Sequence, residues 1–257
     1  MAITQILGAT GRGTLSLLAS LGQMGTFAGR TLRWLTRFPY LEGVLQQAAR
    51  VGVQSLAVVC CIQFFVGANI ALVGDSIFRQ FGGQNLLGIY VGMTSVIGMA
   101  PMLVGALLCA KPGTEITATI ASMRVKEQID ALEVMAVNPF WYLIIPRFLA
   151  FLLVTPALTV FSYLASVGGG FAAAVFQLGN NPGTFLSDVV RFLTLNDLFN
   201  GIWRAEIFAL DICLVSCFFG YFSRPGPAGV SRAINLAVVI GSTSIIVINY
   251  FLTQVMY

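Results

Sequence analysis

Long uncharged stretches recur along this chain, separated by short links that carry charge or turn residues. Val51 to Gly74 has no charge for 24 residues and Ile234 to Met256 none for 23. At about 1.5 Å per helical residue, either run crosses a hydrocarbon core of about 30 Å. Leu86 to Ala110 is a further uncharged run, and so is Phe148 to Leu178, which is longer than one crossing needs; Pro156 and Gly168-Gly169-Gly170 are its expected bends. Leu198 to Phe222 reads as another span although it carries Arg204, Glu206 and Asp211. Gly179-Asn180-Asn181-Pro182-Gly183 before it is a turn signal. The pattern predicts an all-α integral membrane protein with about five transmembrane helices.

Two amphipathic segments lie outside these runs. Between Leu15 and Phe38, Leu21, Met24, Ala28, Leu35 and Phe38 face away from Arg30, Arg33 and Arg37, as expected of a helix lying in the membrane interface. Gly22, Gly25 and Gly29 weaken the alternative, a first span. From Thr114 to Val137 a single helix is expected, with Val125, Ile129, Leu132 and Ala136 on one stripe and Lys126, Asp130 and Glu133 on another, Glu127 beside them. Asn138-Pro139 is its expected stop, because proline disfavours α geometry in the residue before it.

Composition agrees: 57% of residues are hydrophobic and 9% charged, against about a quarter charged in soluble domains. With the N-terminus inside, 11 basic residues fall on the inner side and only Arg79, Arg191 and Arg204 on the other. That bias predicts a cytoplasmic N-terminus and charged helix and an outward C-terminus. The scattered basic residues form no nucleic-acid groove. MAITQILGATGRG lacks the features of a secretory signal, so retention of the N-terminus is expected.

Catalytic chemistry is sparse. There is no histidine, and the five cysteines lie inside apolar runs; Cys213 and Cys217 share a helix face but have no second pair to complete a metal site. The two lysines, Lys111 and Lys126, follow Ala110 and Val125, so no Gly-Lys-Ser/Thr phosphate loop is present. Transport driven by ATP would need hydrolysis in another chain.

The run Met123-Arg124-Val125-Lys126-Glu127-Gln128-Ile129-Asp130-Ala131-Leu132-Glu133-Val134-Met135-Ala136-Val137-Asn138-Pro139, followed by Ile145-Pro146-Arg147, resembles the signature of the MlaE/YrbE-type permeases. Gly220-Tyr221 and Ala228-Gly229-Val230-Ser231-Arg232-Ala233 resemble that family's loop before the last helix, and the likeness extends from about residue 45 to the C-terminus. It implies an interfacial segment over 1–47 and a permease domain over 48–257. It implies a permease without enzymatic activity of its own, belonging to an ABC transporter that moves phospholipid or another lipid between membranes. Two copies would be clasped by cytoplasmic ATPase subunits that bind ATP and Mg, and capped by a periplasmic MCE-domain protein, in a bacterial inner membrane. The helix bearing Arg124, Glu127, Asp130 and Glu133 would then be the cytoplasmic coupling helix that docks on the ATPase.

This chain departs from the family pattern. Where many members carry Arg-Glu-Leu-Gly-Pro, the matching residues are Gly98-Met99-Ala100-Pro101; Ala110-Lys111-Pro112-Gly113 stands for Gly-Arg-x-Gly, and Ala118-Thr119-Ile120-Ala121 for Ala-Glu-Leu-Gly, with Glu115 a turn earlier. Asn249 aligns with a last-span aspartate, while the basic residue of the charged span is kept as Arg204. A lipid cavity lined by Gly98, Met99, Arg204 and Asn249 is expected to be more apolar for these losses. Arg204 meets an anionic phosphate there, or pairs with Glu206, or snorkels alone; Asp211, on the same face, is a further candidate partner. Two other function classes stay open: an ion-coupled transporter using Asp211 and Glu115, and a membrane scaffold that recruits a soluble partner.

Overall fold

The computed structural model describes residues 22–34, 41–80, 82–83 and 86–256. Among these residues all regular structure is helical. Helix α1 covers 22–34, α2 Leu41–Gln80, α3 Leu87–Val125, α4 Gln128–Val134, α5 Phe140–Gln177, α6 Pro182–Phe192, α7 Leu195–Tyr221 and α8 Pro227–Met256. Four of them, α2, α3, α5 and α8, are long and apolar enough to cross a membrane. The fifth expected span, α7, has 27 residues, about 40 Å of helix, but bears four charged residues, Asp197, Arg204, Glu206 and Asp211. It is the hub of the bundle, packed against α3, α5 and α8. The helix least suited to lipid is the one that protein surrounds most completely.

The tightest contact pairs α2 with α5. Along α2, Val51, Ser55, Val59, Gln63, Gly67 and Ile70 form one buried stripe at helical spacing. A Cβ on Gly67 would lie 1.8 Å from the Ser166 carbonyl oxygen, and one on Gly169 would lie 1.9 Å from that of Phe64. Lipid tails are as apolar as leucine, so helices in a bilayer gain from close backbone approach, which small residues permit. The glycine triplet is therefore a packing surface: α geometry continues from Ile145 to Ala172, through both Pro156 and Gly168–Gly170, and changes only at the π-helical turn Ala173–Gln177.

Prolines account for the other three π-helical turns. Pro101 follows Thr94–Met99, Pro112 lies inside Cys109–Gly113, and Pro146 follows Phe140–Ile144. A proline removes one amide donor and crowds the carbonyl four residues back; a wider turn relieves both.

The single helix expected over Thr114–Val137 is two. Residues 126–127 form a turn, with Glu127 left-handed at φ 56°, and the Arg124–Asp130 ion pair closes across the break. Redirecting the chain there lets Ile129 bury completely, whereas Ala136, assigned to the same apolar stripe, is exposed. Nor does Asn138-Pro139 stop α4. The helix ends earlier, in a Schellman turn: Val137 N–H donates to the Leu132 carbonyl (2.9 Å), Ala136 N–H to that of Glu133 (3.0 Å), and Ala136 takes φ 59°. Asn138 opens the next helix instead, its Oδ1 accepting from Phe140 N–H at 2.9 Å.

Helix α1 seats Phe27 in an aromatic nest, 5.2 Å from the Phe140 ring, 5.7 Å from Phe218 and 6.1 Å from Tyr221. Arg30 and Arg33 stay exposed, and Met24 and Ala28 are half-buried, so the expected amphipathicity is present with Phe27 at its centre. Leu21, Leu35, Arg37 and Phe38 lie outside the described residues.

Gly169→Ala is expected to destabilise the protein by about 1–3 kcal/mol through overpacking, read as a lower thermal midpoint in detergent. Gly168→Ala, whose Cβ meets nothing within 4 Å, is the matched control. Ala136→Gly should raise stability by about 1 kcal/mol, because glycine adopts the left-handed conformation without steric cost.

Candidate functional site

Two groups of candidate side chains stand toward opposite ends of α7. The first surrounds Arg204, which is 2% exposed although it sits among apolar helices. Pro101 has no amide hydrogen, so the Ile97 carbonyl lacks the α-helical donor four residues on. Arg204 Nη1 donates to that carbonyl at 2.7 Å, while Nη2 donates to Asn249 Oδ1 and Thr253 Oγ1, each at 2.7 Å. The cation is thus dispersed over three neutral acceptors on α3 and α8, which offsets part of the cost of removing it from water.

Of the residues assigned to a lipid cavity, Arg204 and Asn249 come together directly. Gly98 and Met99 adjoin Ile97 on the same π-helical turn, with Met99 exposed. Asp211 stands apart from Arg204: its Oδ2 accepts from Ser244 Oγ. Glu206 does not pair with Arg204 either. It lies on the other side of α7, 7% exposed, and neither of its carboxylate oxygens has a hydrogen-bond partner among the described residues. Thr253 escaped the sequence reading, although its position four residues after Asn249 places it on the same helix face.

The second group is α4. Ile129 is fully buried and Leu132 half-buried, anchoring the helix to the bundle. Glu127, Asp130 and Glu133 are exposed, and so are two apolar side chains, Val134 at 88% and Met135 at 64%. Arg124 is engaged with Asp130. The Tyr221 hydroxyl donates to Glu133 Oε1 at 3.3 Å, tying α4 to the last residue of α7. That hydrogen bond links α4 to α7, the helix that carries Arg204. Glu115, the other carboxylate considered for ion coupling, is paired with Arg50 at 3.4 Å.

A bundle of long apolar helices packed around α7, with a short amphipathic helix at one end, is the build of a polytopic membrane protein. The chain belongs to the MlaE permease family: the family model described as Permease MlaE matches residues 44–255. Among its relatives, a probable ABC transporter permease protein of Rickettsia typhi is 31% identical over 256 residues, covering 99% of both chains. One from Synechocystis is 30% identical over 216 residues, 84% of this chain and 82% of the relative. The intermembrane phospholipid transport system permease protein MlaE of Haemophilus influenzae is 28% identical over 260 residues, covering 99% and 98%.

Asn249→Leu is expected to cost about 1.5–3 kcal/mol, because it leaves a buried guanidinium donor unmatched. Asn249→Asp should retain wild-type stability or exceed it. Thermal unfolding of the two purified variants checks both.

Proposed function

We propose that this permease moves phospholipid or another lipid between membranes as the transmembrane subunit of an ABC transporter, with a separate ATPase supplying the energy. The observation that carries the reading is α4. A short helix that exposes Val134 and Met135 beside Glu127, Asp130 and Glu133, while Ile129 holds it to the bundle, is shaped for a soluble partner. The name of the Haemophilus relative supports phospholipid as the cargo class.

In this reading α4 is the coupling helix and lies in the cytoplasm with the N-terminus, and the C-terminus faces the periplasm across a bacterial inner membrane. ATP and Mg bind in the ATPase. Two permease copies and a periplasmic MCE-domain protein complete the route. The Arg204, Asn249 and Thr253 cluster is the polar lining that a headgroup meets, with Gly98 and Met99 on the adjoining turn. An anionic phosphate competes there with neutral acceptors, and it offers the guanidinium stronger, charge-assisted hydrogen bonds.

Co-expression with the cognate ATPase tests the coupling. Val134→Asp and Glu133→Lys should each reduce co-purified ATPase about ten-fold, the scale of one lost hot-spot contact, and abolish ATP-dependent lipid transfer between vesicles. Undiminished ATPase capture by both variants, or transfer by the isolated permease without ATPase, would sink the reading. Arg204→Ala is expected to lower lipid co-purification; unchanged retention removes the headgroup role of that cluster.

A further inference from the structure

A recess lies at the α4 end of the bundle, away from the Arg204 cluster. It has a volume of about 180 Å³ and is walled by Gln46 and Gln47 of α2 and by Trp141, Tyr142 and Arg147 at the start of α5. Arg147 forms its floor and is 6% exposed. Its Nη1 donates to the Leu143 carbonyl at 2.7 Å, one turn back on its own helix. No carboxylate lies within ion-pair distance of it among the described residues. A guanidinium carries five N–H donors in a planar fork that matches phosphate.

The neighbouring charges leave that of Arg147 uncompensated. A smaller recess on the other side of Arg147 is lined by Gln47, Arg50 and Glu115. Arg50 and Glu115 neutralise each other at 3.4 Å, so two cations and one anion leave a net charge of one positive at the floor. Lys111 of α3 donates its Nζ to the carbonyl of Gln54, further along α2. A buried cation without an anion is costly, and a bound anion removes that cost.

The recess is smaller than the roughly 300–1,000 Å³ typical of sites that enclose a whole ligand, so it fits a headgroup and not a complete lipid. Trp141 and Tyr142 flank its mouth, residue types that settle at the level of lipid headgroups. Deeper along the same two helices, Val53 is 75% exposed and Leu153 58%, an apolar surface along which acyl chains can lie.

We propose that this recess binds the phosphate of a phospholipid headgroup from the leaflet on the α4 side, with Arg147 as its principal ligand. The site does not depend on the assignment of α4 to an ATPase, nor on the role given to Arg204.

The test measures retention of labelled phosphatidylglycerol by the full-length protein in neutral detergent, with diacylglycerol as the phosphate-free control and inorganic phosphate as competitor. Arg147→Gln should lower phosphatidylglycerol retention about ten-fold, as for the loss of charge-assisted hydrogen bonds. Arg147→Lys should recover part of it, and diacylglycerol should be retained weakly by every variant. Gln47→Glu changes a half-buried wall residue and leaves Arg147 in place, so it carries the test if Arg147→Gln does not fold, and the same ten-fold loss is expected. Excess inorganic phosphate should fail to displace the lipid. Wild-type retention in Gln47→Glu, or in a folded Arg147→Gln, overturns the proposal. Displacement by inorganic phosphate at equal concentration overturns the lipid as ligand and leaves a free-anion site.

Discussion

The cost of placing a guanidinium among apolar helices governs the centre of this molecule. Arg204 is tolerated because three oxygen acceptors from two other helices converge on it, and one of them, the Ile97 carbonyl, receives no helical hydrogen bond from residue 101 because that residue is proline. The arrangement ties α3, α7 and α8 together at a single point. It also makes the hub helix selective about its neighbours: a charged side chain that must be satisfied admits few alternative packings. The apolar contacts elsewhere in the bundle are less particular, since one greasy face resembles another.

Around that centre the protein divides by mechanical character. The pair α2 and α5 meets backbone to backbone at Gly67 and Gly169, a contact too close to slide without separating the helices. Helices α3 and α5 are interrupted by π-helical turns at their prolines, where helical hydrogen bonding is already altered. At the end that carries α4, the aromatic nest of Phe27, Phe140, Phe218 and Tyr221 joins α1, α5 and α7, and Tyr221 passes the connection to Glu133. Close glycine contacts, π-helical breaks and a short tethered helix thus fall in different parts of the bundle.

The spans were legible because uncharged length is a strong signal and little competes with it. Finer features were hidden for identifiable reasons. The break at Glu127 interrupts a periodicity that runs on through it in the sequence, and neither Glu127 nor Ala136 is a residue type associated with left-handed backbone. Asn138-Pro139 was read as an end because proline terminates helices; it also begins them, and the Asn138 side chain decides the matter by capping Phe140. The role of Phe27 is not legible in the sequence, since periodicity reports which side is apolar but not which side chain finds a socket. The site was partly legible. Arg204 and Asn249 were singled out together and do meet, whereas the assignment of Asp211 to Arg204 followed helical spacing on α7 alone and could not anticipate Ser244 from α8. Pro101 is visible in the sequence, and its missing amide is the signal for the open Ile97 carbonyl.

The π-helical turn at Thr94–Met99 sets where α3 tolerates a change of length. Such a turn holds one residue more than the α-helix needs, so a deletion inside it can be taken up by regular winding with the flanking segments keeping their facing. A deletion in the regular stretch Ala100–Leu108 has no such reserve and would turn everything beyond it by about 100°.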